Sequence, residues 1–232
     1  MPISRRGFLG RAAGASAAGV AAAAGLANLF PQTSVLHSGC VVVDPGPNCP
    51  LRESVAGYET ALSSLNVPFQ RVALQSLGAA RLIVFPASVS TAPTSLARAR
   101  EHLEDGSTVL YESGAAFLGP GEFGFHKRVI RSVFGLSLHD PVDLWDSADS
   151  FKQSPYVDFH WPVVTKVREF SRAVPVETGD GKAIARFQNL SVAVKRRMGK
   201  GTLVFLGSPL GPHLLASDQE AIRWLGALHC SC

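Results

Sequence analysis

A glutamate and a serine stand together at the end of a short apolar run, in the segment 111–114 (Tyr-Glu-Ser-Gly). A serine on a sharp strand-to-helix turn can act as a nucleophile when a histidine takes its proton and a carboxylate orients that histidine. Ser113 is the candidate nucleophile, His213 the candidate base, and Glu112 or Asp218 the candidate orienting group. The segment lacks the first glycine of a Gly-x-Ser-x-Gly elbow, and a serine before glycine is also common in ordinary turns. A hydrolase and a purely structural serine therefore both fit.

These residues need elements to position them, and the chain supplies an alternation of short apolar runs and helical periodicity. That alternation is typical of an α/β fold with a parallel sheet. We predict strands at 40–44, 69–73, 81–85, 108–111, 183–189, 191–196 and 202–207, and helices at 51–65, 96–103, 126–134 and 217–228. The last three strands are separated by only a few residues, which favours antiparallel pairing over crossovers. In the last helix, Ser217 is the expected N-cap and Glu220 its partner in a capping box.

Composition narrows the class of protein. The 232 residues are 46% apolar and 17% charged, which excludes a disordered chain, and we find no internal repeat. The formal net charge is +4, but Arg5, Arg6 and Arg11 belong to the N-terminal segment, so the remainder carries +1. A chain so nearly neutral is not expected to bind nucleic acid.

The first thirty residues have the pattern of a targeting segment. The paired arginines Arg5 and Arg6 precede Phe8-Leu9 and an uncharged, Ala- and Gly-rich stretch over 12–30. This resembles a twin-arginine signal peptide over 1–30, which implies a periplasmic or exported protein. Contact with the membrane is then expected only through an uncleaved signal.

The four cysteines lie near the two ends of the expected mature chain, at Cys40, Cys49, Cys230 and Cys232. An oxidising compartment permits disulfides, and four cysteines allow three complete pairings. We expect Cys40 or Cys49 to bridge to the C-terminal pair, because a short Cys-Ser-Cys tail would otherwise fray. A soft-metal or redox tail at 229–232 is the alternative, but three ligands within four residues rarely close a metal site. No metal site and no cofactor are predicted.

Two parts of the sequence resemble a known superfamily. They are residues 81–117, which include Arg-Leu-Ile-Val-Phe-Pro and Tyr-Glu-Ser-Gly-Ala-Ala-Phe, and the run 199–207, Gly-Lys-Gly-Thr-Leu-Val-Phe-Leu-Gly. The chain is similar there to the class I glutamine-amidotransferase-like superfamily, especially the N-terminal domain of biotin-protein ligases and the trehalose-utilisation family. The resemblance covers about 40–117 and 183–228. It implies one domain over 31–232, with a flavodoxin-like parallel sheet, helices on both faces, a short antiparallel extension near the C-terminus and an insertion at about 119–162.

The resemblance also implies where catalytic residues would stand, and these positions differ. Glu112 occupies the slot of the nucleophilic cysteine, and 208–210 reads Ser-Pro-Leu in place of His-Pro-Glu. The Pro-Gly-Gly of the oxyanion loop becomes Pro86-Ala87-Ser88, and alanine adopts positive φ less readily than glycine. Glutaminase chemistry is therefore not expected.

The leading hypothesis is a non-catalytic protein of the periplasm that binds a small molecule or an envelope protein. Open parallel sheets bind ligands at the carboxyl ends of their strands, and function belongs to such a site more than to the scaffold. The candidate binding residues there are Asp44, Asn48, Ala87, Ser88, Gly114 and Ser208. The alternatives are a periplasmic hydrolase that uses Ser113 and a structural subunit of an envelope assembly.

Overall fold

The structure is a computed structural model, and it describes residues 39–47, 49–89, 93–144, 155–169 and 172–232. These residues fall in one compact unit, Leu36–Cys232. The predicted signal peptide and Asn48 lie outside the described residues. No helix in the described ranges combines the length and the apolar character that crossing a membrane requires.

Strands and helices alternate as far as the third helix, as the sequence predicts, and seven described strands then follow in succession, the first four of which were not predicted. The strands are β1 (Cys40–Asp44), β2 (Phe69–Ala73), β3 (Leu82–Ser88), β4 (Thr108–Ser113), β5 (Val142–Asp143), β6 (Tyr156–Phe159), β7 (Thr165–Arg168), β8 (Arg172–Ala173), β9 (Lys182–Phe187), β10 (Leu190–Met198) and β11 (Gly201–Leu206). The helices are α1 (Arg52–Ser64), α2 (Pro93–Asp105), α3 (Pro120–Phe134), α4 (Gly211–Leu215) and α5 (Gln219–Cys230), with short 3₁₀ turns at Leu74–Ser76 and Ala115–Phe117.

One large sheet organises the described chain, with the strand order β2-β1-β3-β4-β11-β10-β9-β6-β7. The five strands from β2 to β11 are parallel to their neighbours. The four pairings from β11 to β7 are antiparallel, which confirms the predicted antiparallel extension. The extension is longer than expected, because β6, from the stretch predicted as an insertion, pairs with β9 and β7.

Helices cover both faces of the parallel strands, because successive side chains of a strand point to opposite sides. One core joins β1, β3 and β4 to α1 and α5, and a second joins the same strands to α2 and α3. The first contains Val42, Val84, Leu110, Tyr58 and Trp224, and the second contains Val43, Phe85, Tyr111, Leu103 and Phe134. Both cores run along the parallel strands and hold their carboxyl ends in place.

Helices α1 and α4 approach so closely that their backbones touch. A Cβ atom on Gly57 would lie 1.9 Å from the carbonyl oxygen of Gly211, and one on Gly211 would lie 2.4 Å from Cα of Ser54. Real Cβ atoms do not come this close to backbone, so glycine is required at both positions. The contact holds the start of α4 against α1, next to Glu112 at the end of β4.

The start of α5 differs from the predicted capping box. Asp218 is the N-cap, and its carboxylate accepts hydrogen bonds from the amides of Glu220 (2.9 Å) and Ala221 (3.3 Å). Ser217 precedes the cap with a φ of 60°. An aspartate satisfies the free amides of a first turn as well as a serine does, and its charge also favours the positive end of the helix dipole.

The predicted disulfides are wrong. All four cysteines are free thiols: Cys40 and Cys49 are buried, Cys230 is exposed and Cys232 is half-buried. The tail is held without a bridge, since the Cys232 thiol donates to the Leu228 carbonyl (3.2 Å) and Arg81 donates to the Cys232 carbonyl. Burial raises the pKa of Cys40 to about 12, so this thiol stays protonated and behaves as a core side chain.

Candidate functional site

The carboxyl ends of the central strands meet, as predicted from the parallel sheet. The Ala87 amide, at the end of β3, donates to Oε1 of Glu112 on β4 (3.2 Å). The Gly114 amide donates to the Ser88 carbonyl (3.1 Å), which ties the turn after β4 to β3. The segment 208–213 joins the same group through the amides of Leu210 and Gly211, both on Glu112.

Glu112 lies at the centre of this group and is completely buried, with 0% of its surface exposed. Its carboxylate accepts five hydrogen bonds. The donors are the hydroxyls of Ser54 (2.7 Å) and Tyr58 (2.6 Å) and the amides of Ala87 (3.2 Å), Leu210 (3.2 Å) and Gly211 (3.0 Å). Burial raises the pKa of Glu112, and the hydrogen bonds from Tyr58, Ser54 and the Gly211 and Leu210 amides work in the opposite direction. A carboxylate so fully engaged connects α1, β3 and α4 and has no position left for a substrate.

The backbone of Ala87 has a positive φ, a conformation that alanine adopts less readily than glycine. Its φ is 36°, in the left-handed region where alanine is uncommon, although no glycine is present. This conformation directs the amide of Ala87 at Glu112. The amide therefore serves a buried side chain, and it does not form a hole open to an incoming oxyanion.

Ser113 has a histidine partner, but not the predicted one. Its hydroxyl lies 3.2 Å from Nε2 of His126, on α3, and also accepts from the Ala115 amide (3.2 Å). Both Ser113 and His126 are buried, with 0% and 1% exposure. The structure places Ser113 beside His126, and it places the predicted base, His213 on α4, beside Glu169. Position 126 lies in a helix predicted from the sequence, but no sequence signal marks His126 as a partner of Ser113, because only the turn at 114–119 brings the two residues together.

His126 is held in its neutral form. Burial lowers the pKa of its imidazole to about 4, because the apolar surroundings disfavour the charged ring. Tyr111 packs nearby, with its ring centroid 6.4 Å from that of His126. A neutral imidazole can accept a proton from a serine, but here neither group reaches solvent.

His213 and Ser208 meet at Glu169, a residue that sequence reasoning missed. Nε2 of His213 lies 3.4 Å from Oε2 of Glu169, and the Ser208 hydroxyl donates to the same oxygen. Glu169 is 2% exposed. It follows β7 in a segment without clear periodicity, so only the folded antiparallel extension brings it to this edge.

The electrostatics of this cluster favour a charged histidine. Burial by itself lowers the pKa of His213, but the hydrogen bond and charge of Glu169 outweigh it, with smaller contributions from Asp218 and Glu112. The pKa of His213 is raised as a result. The imidazolium and the Glu169 carboxylate then neutralise each other inside the protein.

A pocket of about 280 Å³ opens beside this pair. Its polar groups are Glu53, Glu169 and His213. The rest of its wall is apolar and consists of Leu51, Phe117, Pro209, Pro212 and Ala216. It is an open cavity at the carboxyl edge of the sheet with a buried charged pair in its wall.

Asp44 belongs to a second and wider pocket, of about 590 Å³, at the ends of β1 and β2. Its carboxylate forms an ion pair with Arg71 (2.8 Å) and accepts the Gly46 amide (2.9 Å). Arg71 also lies 3.7 Å from Glu59. The charges of this pocket therefore already have partners. In the described ranges there is no group of three or more His, Cys, Asp or Glu side chains that could hold a metal ion.

Comparison with known proteins gives a fold and no family. No protein-family model matches the sequence, and no curated protein matches it. Among solved structures, a β-galactosidase from Rahnella sp. R3 is 13% identical, with a TM-score of 0.62, over 84% of this chain and 31% of that one. An exo-β-1,4-mannosidase from an Opitutaceae bacterium is 10% identical, with a TM-score of 0.60, over 84% and 36% of the two chains. A cytoplasmic protein from Salmonella typhimurium is 11% identical, with a TM-score of 0.56, over 83% and 98%.

These comparisons correct the family prediction. The resemblance to the class I glutamine-amidotransferase-like superfamily is wrong, since the similar structures are named as β-galactosidases, a mannosidase and cytoplasmic proteins. The chain spans about a third of the length of the β-galactosidases and the mannosidase. At 10–13% identity, the likeness shows that the chain has an α/β fold related to parts of these enzymes, and nothing about its own activity.

Proposed function

We propose that this chain is a non-catalytic binding protein on a flavodoxin-like scaffold, with a small-molecule site in the pocket beside Glu169 and His213. The parallel order β2-β1-β3-β4-β11 corresponds to the 2-1-3-4-5 order of flavodoxin-like sheets. Such sheets bind ligands outside the carboxyl ends of their strands. The pocket lies at that edge.

The observation that carries the proposal is the composition of the pocket wall. Ligand sites are concave, mainly apolar, and contain a few polar groups in fixed positions. Here five apolar residues form most of the wall, and the Glu169–His213 pair supplies polar groups fixed by burial. This is the composition of a binding site, and its volume of about 280 Å³ suits a small molecule.

The candidate catalytic groups Glu112 and Ser113 are buried, which supports a protein that binds a ligand without turnover. A nucleophilic serine must reach its substrate, but Ser113 is 0% exposed. The carboxylate of Glu112 accepts five hydrogen bonds from buried donors, so it is not accessible to a substrate either. A fluorophosphonate probe should leave Ser113 unlabelled in the native protein; labelling that disappears in Ser113→Ala would favour a hydrolase.

The compartment is a separate part of the proposal. We place the protein in the periplasm on the basis of Arg5, Arg6 and the uncharged stretch that follows them. Fractionation of cells that express the wild type and the Arg5→Lys/Arg6→Lys variant tests this. Export of the wild type and retention of the variant are expected, and equal amounts of both in the cytoplasm would contradict the assignment.

The binding function is tested by mapping small fragments on the protein with ¹H–¹⁵N NMR. Shift changes should concentrate at Phe117, Glu169 and His213. Ala216→Trp fills the pocket and should remove them, while Ala97→Trp, at an exposed position of α2, should not. Fragments that bind elsewhere, or that are indifferent to Ala216→Trp, would refute the proposed function.

A further inference from the structure

We propose that the ligand of this pocket is a small organic cation, an amine attached to a compact apolar body. The inference rests on the proposed function and adds the chemical class of the ligand. It follows from three features of the wall: an unpaired carboxylate, the lack of a lysine or arginine among the described lining residues, and a partly exposed aromatic ring.

The unpaired carboxylate is Glu53, in the first turn of α1. Within the part of the chain that the structure describes, Glu53 has neither an ion-pair nor a hydrogen-bond partner. The adjacent Arg52 does not neutralise it, since its guanidinium donates to the Pro47 carbonyl (2.9 Å) and lines the other pocket. Glu53 therefore presents a negative charge to the ligand space.

The remaining charged groups of the wall do not cancel that charge. Glu169 and His213 form a pair with each other at 3.4 Å and contribute no net charge when the histidine is protonated. No lysine or arginine is among the described lining residues. The pocket thus carries a net charge of about −1, or −2 with a neutral imidazole, and it attracts cations and repels anions.

The apolar part of the wall defines the rest of the ligand. Phe117 is 37% exposed, and the face of an aromatic ring attracts a cation as well as apolar carbon. Leu51, Pro209 and Pro212 surround the space with groups that cannot form hydrogen bonds through their side chains. A polyhydroxylated ligand would leave many of its hydroxyls unpaired against such a wall, whereas an amine with an apolar body matches it.

Three molecules of equal size and different charge test the inference by isothermal titration calorimetry: benzylammonium, benzyl alcohol and benzoate. Benzylammonium should bind about tenfold more tightly than benzyl alcohol, and benzoate should bind most weakly. Glu53→Gln should weaken benzylammonium binding about five- to tenfold and leave benzyl alcohol unchanged. The matched control Glu101→Gln removes an exposed carboxylate from α2 and should change neither.

The outcomes separate this inference from the proposed function. Equal affinities for benzylammonium and benzyl alcohol, or an unchanged affinity in Glu53→Gln, would overturn the cation and leave a neutral-ligand site. Fragments that map to the pocket while benzylammonium fails to bind would have the same consequence. If neither the fragments nor benzylammonium bind there, the proposed function fails with it.

Discussion

Tyr58 on α1 donates a 2.6 Å hydrogen bond to Oε2 of Glu112 on β4, across 54 positions of sequence. Both side chains are completely buried. The bond connects a helix on one face of the sheet to the end of β4, and the start of α4 contributes amides to the same oxygen. The position that sequence analysis marked as a possible reaction centre is therefore a structural junction.

Replacement of Glu112 should cost stability, because its donors would remain buried without an acceptor. We expect Glu112→Ala to lower the free energy of unfolding by about 3–5 kcal/mol and Glu112→Gln by about 1–3 kcal/mol, since the amide keeps one acceptor oxygen. Urea denaturation measures both. Glu101→Gln, at an exposed site, should stay within about 0.5 kcal/mol of the wild type. A Glu112→Ala protein as stable as the wild type would show that the five hydrogen bonds do not support the fold.

The close contact between α1 and α4 should also be needed for stability. Gly57→Ala would place a methyl group 1.9 Å from the Gly211 carbonyl oxygen, so the helices must separate and the Glu112 junction must loosen. We expect a loss of about 2–4 kcal/mol in thermal or urea unfolding. Gly121→Ala is the matched control, because Gly121 also lies in a helix. A methyl group added there would have no heavy atom within 4 Å. Equal stability of the two variants would contradict the close packing.

The buried His126 predicts a sensitivity to acid. Its pKa falls from 6.5 in the unfolded chain to about 4 in the fold, so the unfolded state binds the proton first as the pH falls. The free energy of unfolding is therefore unaffected by this group above pH 6.5. It decreases as the pH falls from 6.5 toward about 4, by about 3 kcal/mol in all. An NMR titration of the imidazole should show a midpoint near 4. A midpoint near 6.5 would mean that water reaches the ring.

His213 should give stability the opposite dependence on pH, because Glu169 raises the pKa of its imidazole. Its contribution to stability is complete below pH 6.5 and is lost as the pH rises through the higher pKa of the folded state. Urea denaturation between pH 6 and pH 9 should therefore show falling stability in the wild type. The fall should be smaller in His213→Gln, which cannot titrate. Identical slopes for the two proteins would show that the Glu169–His213 pair is not ionic.

Much of the fold could be predicted from short-range pattern. Strands β1 and β2 have the predicted bounds, because each is a short run that begins directly after a turn-forming residue, Gly39 or Pro68. Helix α3 begins six residues before its predicted start, since Pro120, Gly121 and Gly124 weaken the helical pattern. Its boundaries nevertheless carry the usual signals, Pro120 in the first turn and Gly135 with a φ of 64° at the end.

The site could be predicted only in part, because its position depends on topology and its contacts depend on packing. The meeting of 86–88, 112–114 and 208–213 follows from a parallel sheet, whose strand ends share one edge. The partner of Ser113 and the role of Glu169 do not follow from it. His126 reaches Ser113 around a tight turn, and Glu169 reaches His213 from the antiparallel extension.

The central claim is that ligands occupy the pocket beside Glu169 and His213 while the Glu112 and Ser113 positions stay closed. Fragment mapping by NMR on the wild type, Ala216→Trp and Ala97→Trp tests this most directly. The claim predicts shift changes at Phe117, Glu169 and His213 in the wild type and in Ala97→Trp, and none in Ala216→Trp. Shift changes at Ser113 and His126 instead, of equal size in all three proteins, would contradict it.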